Sequence, residues 1–194
     1  MSETKATVDL SSLVGGGDNP TPLSQAKLNA NLTAVVPFTL EGLPAGLHYC
    51  DEPEIAGYVM CCGTGCVLCR VGKKVEDRVL LPVYLPLTQR VGVMLVSRKC
   101  TPKALMPQLV DHIKRAEAAG QRAILFICRN EDYTFTVDSR HLLPTDDDGA
   151  SLVKQVLEAI TAGTVRIDSV VQTLTSAQLL AVDSIKRALA LREG

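Results

Sequence analysis

Four thiols fall within nine residues of this chain, Cys61-Cys62-Gly63-Thr64-Gly65-Cys66-Val67-Leu68-Cys69, and His48-Tyr49-Cys50 lies just upstream. Two cysteines separated by two residues can bend around one small cation and present both sulfurs to it. Gly63 and Gly65 supply the positive φ that such tight turns need. A tetrahedral zinc site takes four ligands, and six candidates stand here: His48, Cys50, Cys61, Cys62, Cys66 and Cys69. Cys66 and Cys69 have the most direct geometric reason. Cys61 is the preferred third, because Cys62 points the other way if a strand from Gly57 continues to it. His48 and Cys50 share a strand parity, so either can deliver the fourth ligand. Four protein ligands leave no open position for water, so the expected Zn2+ is a fold-stabilising ion rather than a catalytic one.

Composition favours this reading over the other uses of cysteine. No apolar run approaches the ~18–20 residues of a membrane span, and the start of the chain lacks the basic-then-apolar pattern of a signal peptide. The expected location is therefore cytoplasmic. In a reducing compartment seven cysteines point to metal or redox chemistry rather than to a disulfide framework. A redox dithiol at Cys66/Cys69 would need thioredoxin-like βαβ surroundings, which the sequence around it lacks. Cys100 and Cys128 are isolated and read as core residues, and His112 and His141 have no ligand-like neighbours. Hydrophobic residues make up 46% of the chain but aromatics only 4%, so its core must be built from Val, Leu, Ile and Ala.

The elements that must hold the thiols read as strands. They run 34–40, 46–50 and 57–61 before the cysteines, then 78–85 and 90–97 after them. Pro82 inside one run predicts an edge strand or a bulge there. A helix follows to about Ala119, opening at Thr101-Pro102 or, because of Pro107, near Met106, with Gly120 as its stop. Strands at 122–128 and 132–137 come next, the second with Tyr133, Phe135 and Val137 on one face. The chain then turns helical. Asp146–Asp148 can cap a helix over 149–162, a short helix spans 169–174, and Thr175-Ser-Ala-Gln178 has capping-box spacing ahead of an apolar stripe, Leu179, Leu180, Val182, Ile185 and Leu189. Three parts result: a flexible N-terminal arm at 1–33, a β domain at 34–142 and a helical segment at 143–194.

Charge is distributed unevenly. The net −1 divides into −5 over residues 1–69, +8 over 70–129 and −4 over 130–194, so the basic stretch begins where the cysteine cluster ends. Such a middle can form a polyanion-binding surface.

His48, twelve intervening residues, Cys61 and a closing Cys66-x-x-Cys69 resemble the zinc motif of the T-even phage single-stranded DNA-binding proteins. Cys66-Val-Leu-Cys69, a basic segment and Val79-Leu-Leu-Pro-Val-Tyr84 resemble the same family's passage into a β-strand. The likeness covers residues 46–100, and the gap from Cys61 to Cys66 is shorter than in the family. It implies His48 as the fourth ligand, with Cys61, Cys66 and Cys69. It also implies an α+β fold, an OB-like small β-barrel with an inserted zinc subdomain, here followed by the helical segment.

The expected function is single-stranded nucleic-acid binding, DNA favoured. Arg70, Lys73, Lys74, Arg78, Arg90, Arg98 and Lys99 would follow the phosphates, while Tyr58, Tyr84, Tyr133 and Phe135 would stack on bases. The alternative is a zinc-stabilised interaction or regulatory module whose C-terminal helices hold a protein partner or a second copy of the chain. Catalysis is not expected. The chain has no Ser/His/Asp set, phosphate loop or dinucleotide fingerprint, and His48-Tyr-Cys50 is not the His-x-Glu of a zinc deaminase.

Overall fold

In the computed structural model, which describes residues 21–28, 31–37, 42–142 and 149–193, the longest strand is the scaffold on which the rest is assembled. The chain enters through β1 (Thr21–Pro22) and β2 (Ser24–Gln25), then forms β3 (Thr33–Pro37), β4 (Leu43–Cys50) and β5 (Gly57–Met60). The cysteine loop leads into the single-turn helix α1 (Val67–Arg70), followed by β6 (Glu76–Leu85) and β7 (Arg90–Ser97). Helix α2 (Leu105–Ala118), β8 (Ala123–Arg129) and β9 (Phe135–His141) come next. Helix α3 (Ala150–Thr161), β10 (Val165–Arg166), α4 (Ser176–Leu180) and α5 (Asp183–Glu193) complete it.

Strands β6 and β7 form an antiparallel hairpin in register from Arg78↔Ser97 to Leu85↔Arg90. The opposite side of β6 is shared: β4 pairs along its first half, Leu47↔Glu76 to Leu43↔Leu80, and β3 takes over at Pro37↔Val83 and Val36↔Tyr84. Pro82 is thus not on an edge strand, as its lack of an N–H suggests from sequence alone. It sits where the partner of β6 changes from β4 to β3, the part of an interior strand with the least demand for a ladder donor. The sheet runs β2-β7-β6-β3-β8-β9, with β4 and β5 branching from β6. Its ends do not meet. The fold is mixed α and β with a large open sheet, and the strands do not close into the expected OB-like barrel among the described residues.

Both faces of the β6–β7 hairpin are buried, which explains its near-continuous apolar sequence. Leu81, Val83, Met94 and Val96 face α2, packing with Leu105, Leu109, Leu125 and Ile127. Leu80, Val93 and Leu95 face the other way, toward Ala45, Leu47, Val156 of α3, Val165 and Val171. A third core joins Cys50, Ile55, Val59, Cys66, Val67 and Leu68 to Leu179, Val182 and Ile185 of the last two helices. The expected apolar stripe is therefore real, but it breaks into α4 and α5 at Ala181-Val182 and is spent on the cysteine-bearing module.

Several boundaries differ from the sequence reading. Residues 132–134 form a turn, with Tyr133 at φ +61, and β9 begins only at Phe135. Thr134 N–H and hydroxyl both bond to the Asp132 carboxylate, which closes that turn before pairing resumes. Residues 167–170 form a single 3-10 turn in place of the helix expected at 169–174. The capping box forms as expected: Thr175 Oγ1 accepts from Gln178 N–H, and the Gln178 side chain returns to Thr175 N–H. Cys100 is exposed and Cys128 half-buried, so neither is the core residue that its isolation implies. Of the arm expected over 1–33, Thr21–Pro22 and Ser24–Gln25 form short strands and residues 1–20 lie outside the described residues, as does the Asp146–Asp148 cap. No helix among the described residues is long and apolar enough to cross a membrane.

Candidate metal centre

Strand alternation puts His48 and Cys50 on the inner face of β4, and pairing with β5 (His48↔Val59) continues the ladder toward the cysteines. Cys61 N–H bonds to the Gly46 carbonyl at 2.9 Å, which holds Cys61 beside the strand that carries His48. The chain then reverses: Gly63 and Gly65 take φ of +73 and +83, and Cys66 N–H closes the turn on the Gly63 carbonyl at 3.1 Å. Cys66 caps α1, whose third residue is Cys69, so one helical turn brings both sulfurs of the C-x-x-C step to the same side.

The result is a compact set of ligand atoms. The His48 imidazole nitrogen and the sulfurs of Cys61, Cys66 and Cys69 all lie within 4.8 Å of one another, an arrangement that can hold a metal ion such as zinc. His48 Nε2 is 3.5 Å from each of the Cys66 and Cys69 sulfurs, and Cys61 Sγ is 3.6 Å from Cys69 Sγ. His48 is fully buried, and its Nδ1 is 3.1 Å from the Lys74 carbonyl. A carbonyl only accepts, so Nδ1 carries the proton and Nε2 presents its lone pair to the sulfurs. Lys74 is brought there by the end of α1, where Lys73 N–H bonds to the Leu68 carbonyl and Gly72 N–H to that of Cys69. Gly72 has φ +81, and the Arg192 guanidinium of α5 lies over it where a side chain would otherwise project.

The thiols are electrostatically unequal. Burial opposes ionisation of Cys66, but N–H groups of Cys69, Cys62 and Leu68 and the Cys62 thiol bond to its sulfur and pull its pKa down to about 6. Loss of hydration, with the Cys61 and Cys66 sulfurs alongside, pushes Cys69 up to about 12. Three thiolates at this spacing are tolerable together only around a cation. Cys50 is fully buried in the third core, its pKa raised mainly by burial, and it stands outside the ligand set. Cys62 is exposed and also outside it. The structure thus brings together His48, Cys61, Cys66 and Cys69.

The remaining sequence candidates scatter. Lys73 is tied to Glu52 at 2.8 Å, and Arg78 to Glu76 and to the Tyr58 hydroxyl at 2.6 Å. Arg70, Lys74, Arg98 and Lys99 are exposed near the module, whereas Arg90 is exposed at the far end of the β6–β7 hairpin. Tyr84 is only 2% exposed, with its ring against the backbone of Gly149, so it is a core residue and not a stacking platform. Phe135 packs against the α2 core and Tyr58 against the second core. Tyr133 is 76% exposed beside the Arg129 guanidinium. Sequence reasoning missed Tyr49, half exposed and edge-on to Tyr58 with ring centroids 5.3 Å apart. Parity alone did not signal it, because Leu47 on the same face of β4 is fully buried.

No protein-family model, curated protein or solved structure matches this chain.

Proposed function

We propose that this is a zinc-stabilised protein that binds single-stranded nucleic acid along the basic edge of its metal module. Zn–S bonds of about 2.3 Å and Zn–N bonds of about 2.1 Å at tetrahedral angles span about 3.8 Å between sulfurs and about 3.6 Å between nitrogen and sulfur. The observed 3.6 Å and 3.5 Å spacings fit those edges. With all four positions filled by protein, the ion's contribution is to folding and not to chemistry.

One observation carries the link to binding: Lys74 gives its carbonyl to His48 while its own side chain is exposed. Metal binding therefore fixes the backbone from which the cationic edge starts. Arg98 N–H bonds to the Asp77 carbonyl at 3.1 Å, which aligns Arg98 and Lys99 with the strand that leads away from Lys74. Exposed Tyr49 on β4, braced by Tyr58, offers a ring face to an unstacked base. The alternative, partner docking through the apolar stripe of the C-terminal helices, has less support because Leu179, Val182 and Ile185 are already buried against the cysteine loop and α1.

Elemental analysis of the purified protein tests the first half, with about one zinc per chain expected. Fluorescence anisotropy with a labelled oligothymidine tests the second. Binding should exceed that of a duplex of equal length and fall steeply with salt. Absence of binding at low salt, or affinity indifferent to salt, overturns the nucleic-acid reading.

A further inference from the structure

Strand β9 ends the sheet, and among the described residues it pairs with β8 alone. The direction of its backbone groups is fixed at both ends. Leu142 N–H turns inward to the Arg122 carbonyl at 2.9 Å, and Phe135 N–H turns outward to the Lys103 carbonyl at 3.4 Å. Hydrogen-bonding direction alternates along a strand, so Val137, Ser139 and His141 aim their N–H and C=O groups away from β8. Such an edge is a template for another strand. Lys103 occupies it at Phe135, but from Thr136 to His141 every residue except Val137 is exposed.

We infer that β9 joins β9 of a second copy of this chain across a two-fold axis at Ser139, which continues the sheet through both molecules. The charge pattern selects both partner and register. In a two-fold antiparallel pair, each residue faces the one reflected through the axis. An axis at Asp138 would set two carboxylates directly opposite each other, and one at Arg140 two guanidinium groups; both arrangements are destabilising. An axis at Val137 would set Asp138 against Thr136. Of these, only the axis at Ser139 sets Asp138 opposite the partner's Arg140 and, by symmetry, Arg140 opposite the partner's Asp138. The same register pairs Ser139 with the partner's Ser139 and Val137 with the partner's His141, so each outward N–H meets an outward carbonyl. Asp138 and Arg140 then fall at non-hydrogen-bonded positions, where opposed Cα atoms are about 4.5 Å apart and side chains come closest. Both are exposed on the sheet face away from α2, while the Ser139 hydroxyl is 2.7 Å from His112 Nδ1 on the α2 face. A strand of another protein would need this order of charges by chance, whereas a second copy carries it by symmetry. The inference goes beyond the nucleic-acid reading and stands without it.

Sedimentation velocity of the full chain over a range of concentrations tests it. Wild type should approach twice the single-chain mass of 20.8 kDa as concentration rises. Asp138→Arg turns both cross-axis attractions into repulsions and should raise the dissociation constant by about tenfold or more. Combining Asp138→Arg with Arg140→Asp restores opposite charges across the axis and should return the constant to within about threefold of wild type. Ser139→Pro removes an N–H that faces water in the single chain, so the β8–β9 ladder survives while the central pair is lost. It too should weaken the dimer by about tenfold. A wild type that stays at the mass of one chain overturns the inference. So does a dimer indifferent to Asp138→Arg or to Ser139→Pro, because the contact then lies on another surface. A double exchange that folds yet stays monomeric overturns the register, and if the double exchange does not fold, Ser139→Pro decides alone.

Discussion

The Nδ1–H of His48 points at the carbonyl oxygen of Lys74 at 3.1 Å, and Nε2 of the same ring sits 3.5 Å from the sulfurs of both Cys66 and Cys69. One backbone acceptor thereby fixes the tautomer of a buried histidine and its aim. If the cluster holds its ion as proposed, removing the metal must free more than four side chains. Chelation of zinc, worth on the order of 10 kcal/mol in small metallodomains, should raise amide exchange across residues 48–74 and in α4–α5. The α2 core should keep its protection. His48→Ala should give the same pattern with chelator absent, and unchanged exchange after chelation would remove the ion from the folding argument.

Ile185 of α5 packs in the cysteine-loop core, and Leu109 of α2 in the core on the other side of the hairpin. Truncating either to Ala should cost about 2–5 kcal/mol by leaving a cavity. Only Ile185→Ala should also weaken zinc binding, measured by competition with a chelator of known affinity. Equal zinc affinity in the two variants would mean that the C-terminal helices do not brace the metal module.

Gly149 and Gly163 both have positive φ, +67 and +74, but their surroundings differ. A Cβ on Gly149 would lie 2.5 Å from the Tyr84 ring, whereas one on Gly163 would meet nothing within 4 Å. Gly163→Ala should cost about 1 kcal/mol for backbone strain alone. Gly149→Ala should cost about 1–3 kcal/mol more, because the buried ring must move. Urea denaturation of the two variants decides between them.

Glu52 and Lys73 form a largely buried ion pair. Burial pushes the Glu52 carboxyl up, but the Lys73 ammonium outweighs it and holds the group below its ordinary value, while Lys73 itself is raised by the same contact. A carboxyl depressed on folding stabilises above its unfolded pKa, and that contribution disappears as pH falls through the folded value. Glu52→Gln should therefore cost about 1 kcal/mol near pH 7, with the difference from wild type shrinking on acidification. At high pH the difference should also shrink as Lys73 loses its proton above its ordinary value. A pH-independent difference in unfolding free energy would rule out the ion pair as its source.

Tyr49 and Tyr84 separate stacking from packing. Tyr49→Ala should weaken single-strand binding by about 1–3 kcal/mol, while Tyr84→Phe should leave it unchanged because that ring is buried against Gly149. Lys74→Ala and Arg98→Ala should each reduce the salt slope by about one. Anisotropy titrations at several salt concentrations read all four, and an unaffected Tyr49→Ala would move the binding surface elsewhere.

The sequence by itself determined the local geometry of this protein. The C-x-x-C spacing, the glycines between the cysteines and the strand parity shared by His48 and Cys50 are relations between near neighbours, and they narrow the ligand set to Cys61, Cys66 and Cys69 with one of those two wherever the module sits. The β6–β7 hairpin, α2 and the Thr175 capping box are legible for the same reason: each is written in periodicity or end residues within a few positions. Only the tertiary structure decided what those elements face. Whether Tyr84 is a platform or a core ring depends on Gly149, distant in sequence. Whether the stripe of Leu179 and Ile185 is an interface or an interior depends on a loop more than a hundred residues earlier. Whether strands close into a barrel depends on how β3 and β4 divide one side of β6. Burial is a property of contacts between distant segments, and an apolar or aromatic side chain looks the same in sequence whichever surface covers it.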